Sequence, residues 1–512
     1  MMQNDTDPPR AADKETDIGR DAGKPMGEPP VPEAEEERPR RIVPLVLAVA
    51  LFMEQMDSTV ISTSLPAIAH GIGTTPVALK LALTSYLLSL AIFIPISGWM
   101  ADRFGAKTVF RTAIAVFMVG SLACAASGSL TAFVVSRFLQ GVGGAMMTPV
   151  GRLVLVRATP KNDLVAAMSW LSIPALIGPV VGPPVGGFIT TYFSWHWIFL
   201  INIPIGIAGI SLSGIVLPNM PGSAAERLDF TGFLLSAIAA SGLVFGLSVV
   251  SLPTLPPVVG ILVLLTGLAS GYLYLVHARR TAKPILDFRL FGNPVFRAAI
   301  LGGSLFRLGV GAIPFLLPLL LQIGFGLSPF HSGLLTFSSA FGALGMKFLA
   351  TRALRAGGFR RILSFGALVG SLFLAANGLF TISTPHWVII AVLVTGGFLR
   401  SLVFTSINTL VFADLDKQQA SQGTAIAAVA QQISIALGVA VAGVFLQAIS
   451  HLTATPVGAG TISIAFFCVA ALTLFALIPF FNLSPDAGST VSGHRLRIAN
   501  ASGRKGPVRQ RS

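Results

Sequence analysis

Charge is what this chain has least of. Asp, Glu, Lys and Arg make up 11% of its 512 residues against 53% hydrophobic, and long stretches carry no ionisable group at all. A soluble protein of this length needs a far more polar surface, so that class is excluded. Cysteine is scarce as well. Cys124 and Cys468 stand in separate apolar stretches far apart in sequence, which argues against a structural disulfide and leaves nothing that resembles a metal site. No nucleophile elbow, phosphate loop or His/Cys cluster occurs, which speaks against an enzyme, and no appended soluble domain suits a sensor. Acids are missing from the apolar stretches with two exceptions, Glu54 and Asp57; the rest fall in residues 5–37, in short polar connections, or at Asp486.

What the chain does have is long apolar runs, one after another. Runs of roughly 18 or more such residues read as transmembrane helices. Gly (53) and Pro (33) are plentiful, as is common in membrane spans. The pattern predicts an all-α polytopic membrane protein with fourteen spans, beginning at residue 42. Residues 1–41 are acidic and proline-rich and cannot bury a core, so a disordered tail is expected there. The first apolar run follows Arg38, Arg40 and Arg41 and is a full span long, so it reads as an uncleaved anchor.

Net charge is +14, which taken alone suggests nucleic acid, but its placement excludes that partner. Lys and Arg collect in alternate connections: Arg103, Lys107 and Arg111; Arg152, Arg157 and Lys161; Arg279, Arg280, Lys283 and Arg289; Arg352, Arg355, Arg360 and Arg361. The seven opposite connections carry none, Lys80 lying just inside the second span. By the positive-inside rule both termini are expected in the cytoplasm, together with the basic tail 483–512. A weak repeat pairs the connection 101–107 with 354–361. It divides the chain into six-helix bundles at 42–217 and 296–482, with two inserted helices in 218–295. Repeated halves with a site between them are how many secondary transporters alternate access.

An ionised carboxylate in a membrane costs about 2.5–3.5 kcal/mol on insertion scales and marks an ion or substrate pathway. Three residues apart, Glu54 and Asp57 share one side of a helix. Burial favours a neutral carboxyl and a neighbouring cation favours the charged one. A site that alternates between those settings takes up and releases protons; a purely structural Asp57, bonded to nearby hydroxyls, is the other reading. Counted inward from the same membrane face, Asp57 and Arg137 lie at depths that differ by about 3 Å at the helical rise. Arg137 is therefore the expected cation, either as a proton-transfer partner or as a static ion pair. Glu54 reads as a second proton site, as a counter-charge for cationic substrates, or as a cavity-facing acid with no special role. Arg307 and Arg400 lie in later spans that contain no acid, which leaves an anionic or zwitterionic substrate open. Asn202 and Asn408 are candidate cavity groups, with Gln322, Gln431 and Gln432, although interhelical hydrogen bonding is the reading preferred for each.

Four motifs carry a resemblance: Met56-Asp57-Ser58-Thr59-Val60 followed by Leu65-Pro66; Gly98-Trp99-Met100-Ala101-Asp102-Arg103-Phe104-Gly105-Ala106-Lys107; Arg137-Phe138-Leu139-Gln140-Gly141-Val142-Gly143-Gly144; and Gly178-Pro179-Val180-Val181-Gly182-Pro183-Pro184-Val185-Gly186-Gly187. In that order, the chain resembles the fourteen-helix drug:proton antiporter branch of the major facilitator superfamily. The resemblance implies proton coupling at Asp57 with Arg137, and Gln140 among the cavity residues. It implies a conformational latch of Gly98, Asp102, Arg103, Gly105 and Lys107, with Ala106 standing where a basic residue is usual. In the antiporter motif, Gly178, Gly182 and Gly186 recur every four residues beside Pro179, Pro183 and Gly187, a smooth face that seals a leak path or simply packs. An acid at Glu54 is not part of the family pattern. Implied too are proton-driven efflux of a lipophilic or cationic small molecule, no cofactor beyond the proton gradient, a bacterial inner-membrane location and a monomer. The alternative is an exporter of a metabolite such as an amino acid or a siderophore.

Overall fold

In a bilayer no water is available to peptide groups, so each must close its hydrogen bond within its own helix. The computed structural model describes residues 33–160, 163–223, 227–252 and 255–492, and no strand occurs among them. In chain order the first eight helices are α1 (Glu33–Gly71), α2 (Lys80–Phe104), α3 (Ala106–Ala125), α4 (Leu130–Ala158), α5 (Leu164–Tyr192), α6 (Trp197–Val216), α7 (Phe230–Val250) and α8 (Pro257–Arg280). After them come α9 (Pro294–Gly324), α10 (329–357), α11 (359–379), α12 (His386–Leu410), α13 (Lys417–Thr453) and α14 (Ala459–Phe481).

Among the described residues, twelve segments are long and apolar enough to cross a membrane by length and composition. One of these, Pro329–Leu379, holds both α10 and α11, parted at Gly358 by a φ of 67° and a ψ of 166°. Separating the two and adding the 29-residue α5 is compatible with the fourteen spans expected. Gly105, between α2 and α3, has a φ of 88°, a region open to glycine and strained for other residues. The two connections paired by the sequence repeat thus turn on glycines of the same kind. Helical backbone starts at Glu33, ahead of the expected residue 42. Residues 1–32 of the expected acidic tail and 493–512 of the basic one lie outside the described residues.

From Pro39 onward the chain is one compact unit. The first half (α1–α6) meets the second (α9–α14) along two seams, α5 against the α10–α11 stretch and α2 against α13. Helices α7 and α8, expected as an inserted pair, pack on each other, and α7 also lies on α2 and α13. At the end of the bundle where connections lack Lys and Arg, one apolar cluster joins both halves, with Ile61, Leu65 and Ile68 against Leu316, Leu320 and Leu446. Toward the basic end the core instead divides into two clusters, one around Phe110 and Val150, the other around Phe359 and Ile407, with the linker residue Ile285 packed on both. Among the described residues, the hydrogen bonds across the halves fall at the charge-poor end. Gln322 Nε2 donates to Thr63 O at 2.9 Å, and Phe330 N to Thr191 Oγ1 at 3.0 Å. Lys80, fully buried there, donates through Nζ to Ser251 Oγ just past α7, while its methylene stem lies against Gly443 of α13.

Candidate functional site

Asp57 stands in the middle of α1 with 2% of its surface exposed. Helix α4 starts on the Ser129 cap, whose side chain accepts from Ala132 N, and this start carries Arg137 two turns inward. Gly120 of α3 lies directly on the backbone of Gln140, so the close approach of α3 and α4 sets Gln140 in place. The first turns of α6 bring in Asn202. Arg137 Nη1 donates to Asp57 Oδ2 at 2.7 Å and to Gln140 Oε1 at 2.5 Å. Gln140 Nε2 and Asn202 Nδ2 each donate to Asp57 Oδ1 at 2.9 Å. Both amides also reach Ser121 Oγ, which in turn donates to Phe199 O. The guanidinium is covered by the Tyr86 ring at 4.4 Å and the Phe199 ring at 5.8 Å.

The pairing expected from helix depth is therefore direct. Gln140, which the resemblance put among the cavity residues, is fully buried against the Asp57 carboxylate instead, and Asn202, equally buried, makes the interhelical hydrogen bond preferred for it rather than lining the cavity. Three donors from two other helices replace the hydration shell an isolated carboxylate would lose, which is what lets an ion pair stay buried. Ser121 was not singled out from sequence, and a lone serine in an apolar run gives no signal that would have found it.

A cavity of about 520 Å³ lies between the halves. Arg137, Tyr86 and Glu54 border it, and Asp57 lies behind Arg137 without reaching the surface. Glu54 receives Thr148 Oγ1 at 2.6 Å and stands where the sequence placed it, facing the cavity from α1. The opposite wall is made by Arg400, Phe404, Gln431 and Gln432. Arg307 and Asn408, expected there too, do not border the cavity. Arg307 is fully buried behind Phe404, its Cζ 5.3 Å from that ring, and donates through Nη2 to Asn408 Oδ1 at 2.9 Å.

The glycine stripe of α5 packs against α1. A Cβ on Gly178 would lie 3.0 Å from Met56 N, and one on Gly182 or Gly186 would collide with Thr59 or with Val60 O. Gly187 presses on Pro329, and Pro183 on Gly333, so the same helix carries the seam to the second half. Gly182→Ile is expected to cost about 1–3 kcal/mol, the usual penalty for forcing methylenes into a filled contact. A thermal melt of the purified protein in detergent measures it, and an unaltered melting temperature would mean that α1 gives way.

The loop motif makes its contacts within the first half and the linker. Asp102 Oδ1 pairs with Arg157 Nη2 at 2.7 Å, both about half exposed, a setting in which an ion pair adds little stability. Lys107 Nζ donates to Gly214 O and Leu217 O at 2.8 and 2.7 Å and so satisfies carbonyls at the end of α6. Gly105 abuts Met220 O, and Ser223 N donates to Asp102 O at 2.8 Å. Gly98 has open space where a Cβ would be, and Arg103 is exposed. The latch expected between halves has no partner from the second half among these contacts, because the halves join at the opposite end.

Comparison with known proteins places this arrangement. The family model of the Major Facilitator Superfamily matches residues 47–439. The Cronobacter sakazakii protein that bears the multidrug-resistance name MdtD is 38% identical over 411 residues, 79% of this chain and 86% of its own length. Its namesake in Pectobacterium atrosepticum is 36% identical over 445 residues, 86% of this chain and 95% of its own. In fold, the D-xylose–proton symporter superposes with a TM-score of 0.63 at 14% identity, covering 87% of this chain and 98% of that one. The nucleoside transporter NupG gives 0.62 at 14% identity, covering 86% and 100%.

Proposed function

The chain belongs to the major facilitator superfamily, and we propose that within it this protein is a proton-coupled exporter of lipophilic drug-like compounds, working by alternating access in a bacterial inner membrane with both termini cytoplasmic. The observation that carries the proposal is the buried Arg137–Asp57 pair, whose arginine borders a cavity between two bundles. A proton that reaches Asp57 cancels the charge that holds Arg137, and releases the guanidinium toward the cavity it already borders. Substrate in that cavity competes with the proton through the same side chain, which is coupling stated as electrostatics. The multidrug names of the relatives favour this reading over a metabolite exporter.

The orientation follows from charge. With the Lys- and Arg-rich connections in the cytoplasm, the joined end faces outward and the cavity loads from the cytoplasmic side, as an exporter requires. One chain supplies both bundles, so a single copy suffices.

The test is transport in proteoliposomes under an imposed pH gradient. Accumulation of a lipophilic cationic dye is expected, and is expected to collapse when a protonophore is added; accumulation that survives the protonophore would refute coupling. In the same assay Glu54→Gln is expected to keep coupling while weakening affinity for the cation about three- to thirtyfold, the range for losing one charge partner in a partly dry site. A fully uncoupled Glu54→Gln would move the proton site from Asp57 to Glu54.

A further inference from the structure

The second half contains no acid in any of its spans, α9 to α14, yet holds two guanidinium groups at membrane depth. Neither is neutralised. Among the described residues Arg400 makes no ion pair or hydrogen bond, although it borders the central cavity. Arg307 is fully buried with Nε and Nη1 unpartnered, and its one acceptor is the neutral amide of Asn408. Between them stands Phe404, one turn after Arg400 on α12, which borders the cavity on one side and covers the Arg307 guanidinium on the other. This contrasts with the first half, where Arg137 has Asp57 within 2.7 Å.

Buried cations without counter-ions are rare in membranes, and they mark the path of something that brings the missing charge. A planar guanidinium open to a cavity suits a carboxylate, which it binds through two parallel hydrogen bonds. Phe404 and the apolar residues beside it, Val310, Ile313 and Pro314, supply a surface for an aromatic or aliphatic frame. Across the same cavity Glu54 offers the opposite charge from α1.

Resting on the export reading above, we propose that the preferred substrates are lipophilic zwitterions, whose carboxylate is received by Arg400 on α12 while their cationic group faces Glu54 on α1. Arg307 acts through Phe404 as a positioning residue: its positive charge behind the ring raises the local potential and favours an anion in front. Each half then holds one end of the substrate, so a bound zwitterion links the bundles that have to move.

The experiment compares two xanthene dyes that share one aromatic cation, one with a free carboxylate and the other its methyl ester. Equilibrium binding to the purified full-length protein is read by fluorescence anisotropy, without any gradient. The free carboxylate is expected to bind about tenfold more tightly than the ester, as for one charge-assisted bidentate contact. Arg400→Gln is expected to bring that ratio to about one, and Arg400→Lys, which keeps the charge and loses the fork, to leave it in between. Arg307→Lys should keep most of the preference. Equal affinity of the wild type for both dyes, binding of neither, or a preference that survives Arg400→Gln overturns the proposal. Failure here is separable from failure of proton coupling: an ester that is accumulated under a pH gradient but bound as well as the acid leaves an exporter without carboxylate selectivity.

Discussion

Asp57→Asn is expected to abolish gradient-driven accumulation while the protein still folds, binds substrate and exchanges it down its own gradient. The substitution keeps the size and the carbonyl oxygen that Gln140 and Asn202 bond, but removes the group that takes a proton. It leaves Arg137 without its anion. That cation borders the cavity and lies 4.4 Å from the Tyr86 ring, so water and the ring's negative face remain to stabilise it. The measurement is a pair of assays on one preparation: uptake under a pH gradient, and counterflow without one. Lost uptake with retained counterflow is the expected pattern. Undiminished uptake by Asp57→Asn would remove the proton site from α1 altogether.

Arg137→Gln should damage the molecule in another way. Asp57 has no contact with the cavity, so removing its cation strands a buried carboxylate with two neutral amide donors. Breaking one side of a buried pair costs about 3–5 kcal/mol, because the remaining charge is left uncompensated. A marked fall in melting temperature is expected for Arg137→Gln, larger than for Asp57→Asn. The double variant Asp57→Asn with Arg137→Gln has no charge left to strand and should recover much of the loss. If the double variant melts below both single ones, the pair is held by packing rather than by charge, and the asymmetry between its two sides is wrong.

The architecture was legible in the sequence because membrane helices announce themselves by length and apolarity, and the basic connections by their alternation. Asp57 and Arg137 were legible for a simpler reason: charges so deep in apolar runs have few partners, and helix rise alone put the two at one depth. Direction around the helix axis was not legible. Helices apolar on all sides have no stripe to show which face looks at a cavity and which at a neighbour. Gln140 therefore read as a cavity group although it closes the Asp57 shell, and Arg307 read as cavity-lining although Phe404 covers it. The α5 glycines were readable as a smooth face, but the partner, α1, was not, since nothing in the spacing names the opposing helix. The contacts of the loop motif with Arg157, the end of α6 and Met220 were not legible either, since a turn of charged residues does not name the segments beside it.

Lys80 ties both halves to the end of α7. One side chain of the first half rests on Gly443 of the second and ends on Ser251, beside the last turn of α7. The α7–α8 pair is therefore moored where α2 meets α13, and on the alternating-access reading proposed above a rotation that parts those two helices has to drag the pair along or break the mooring.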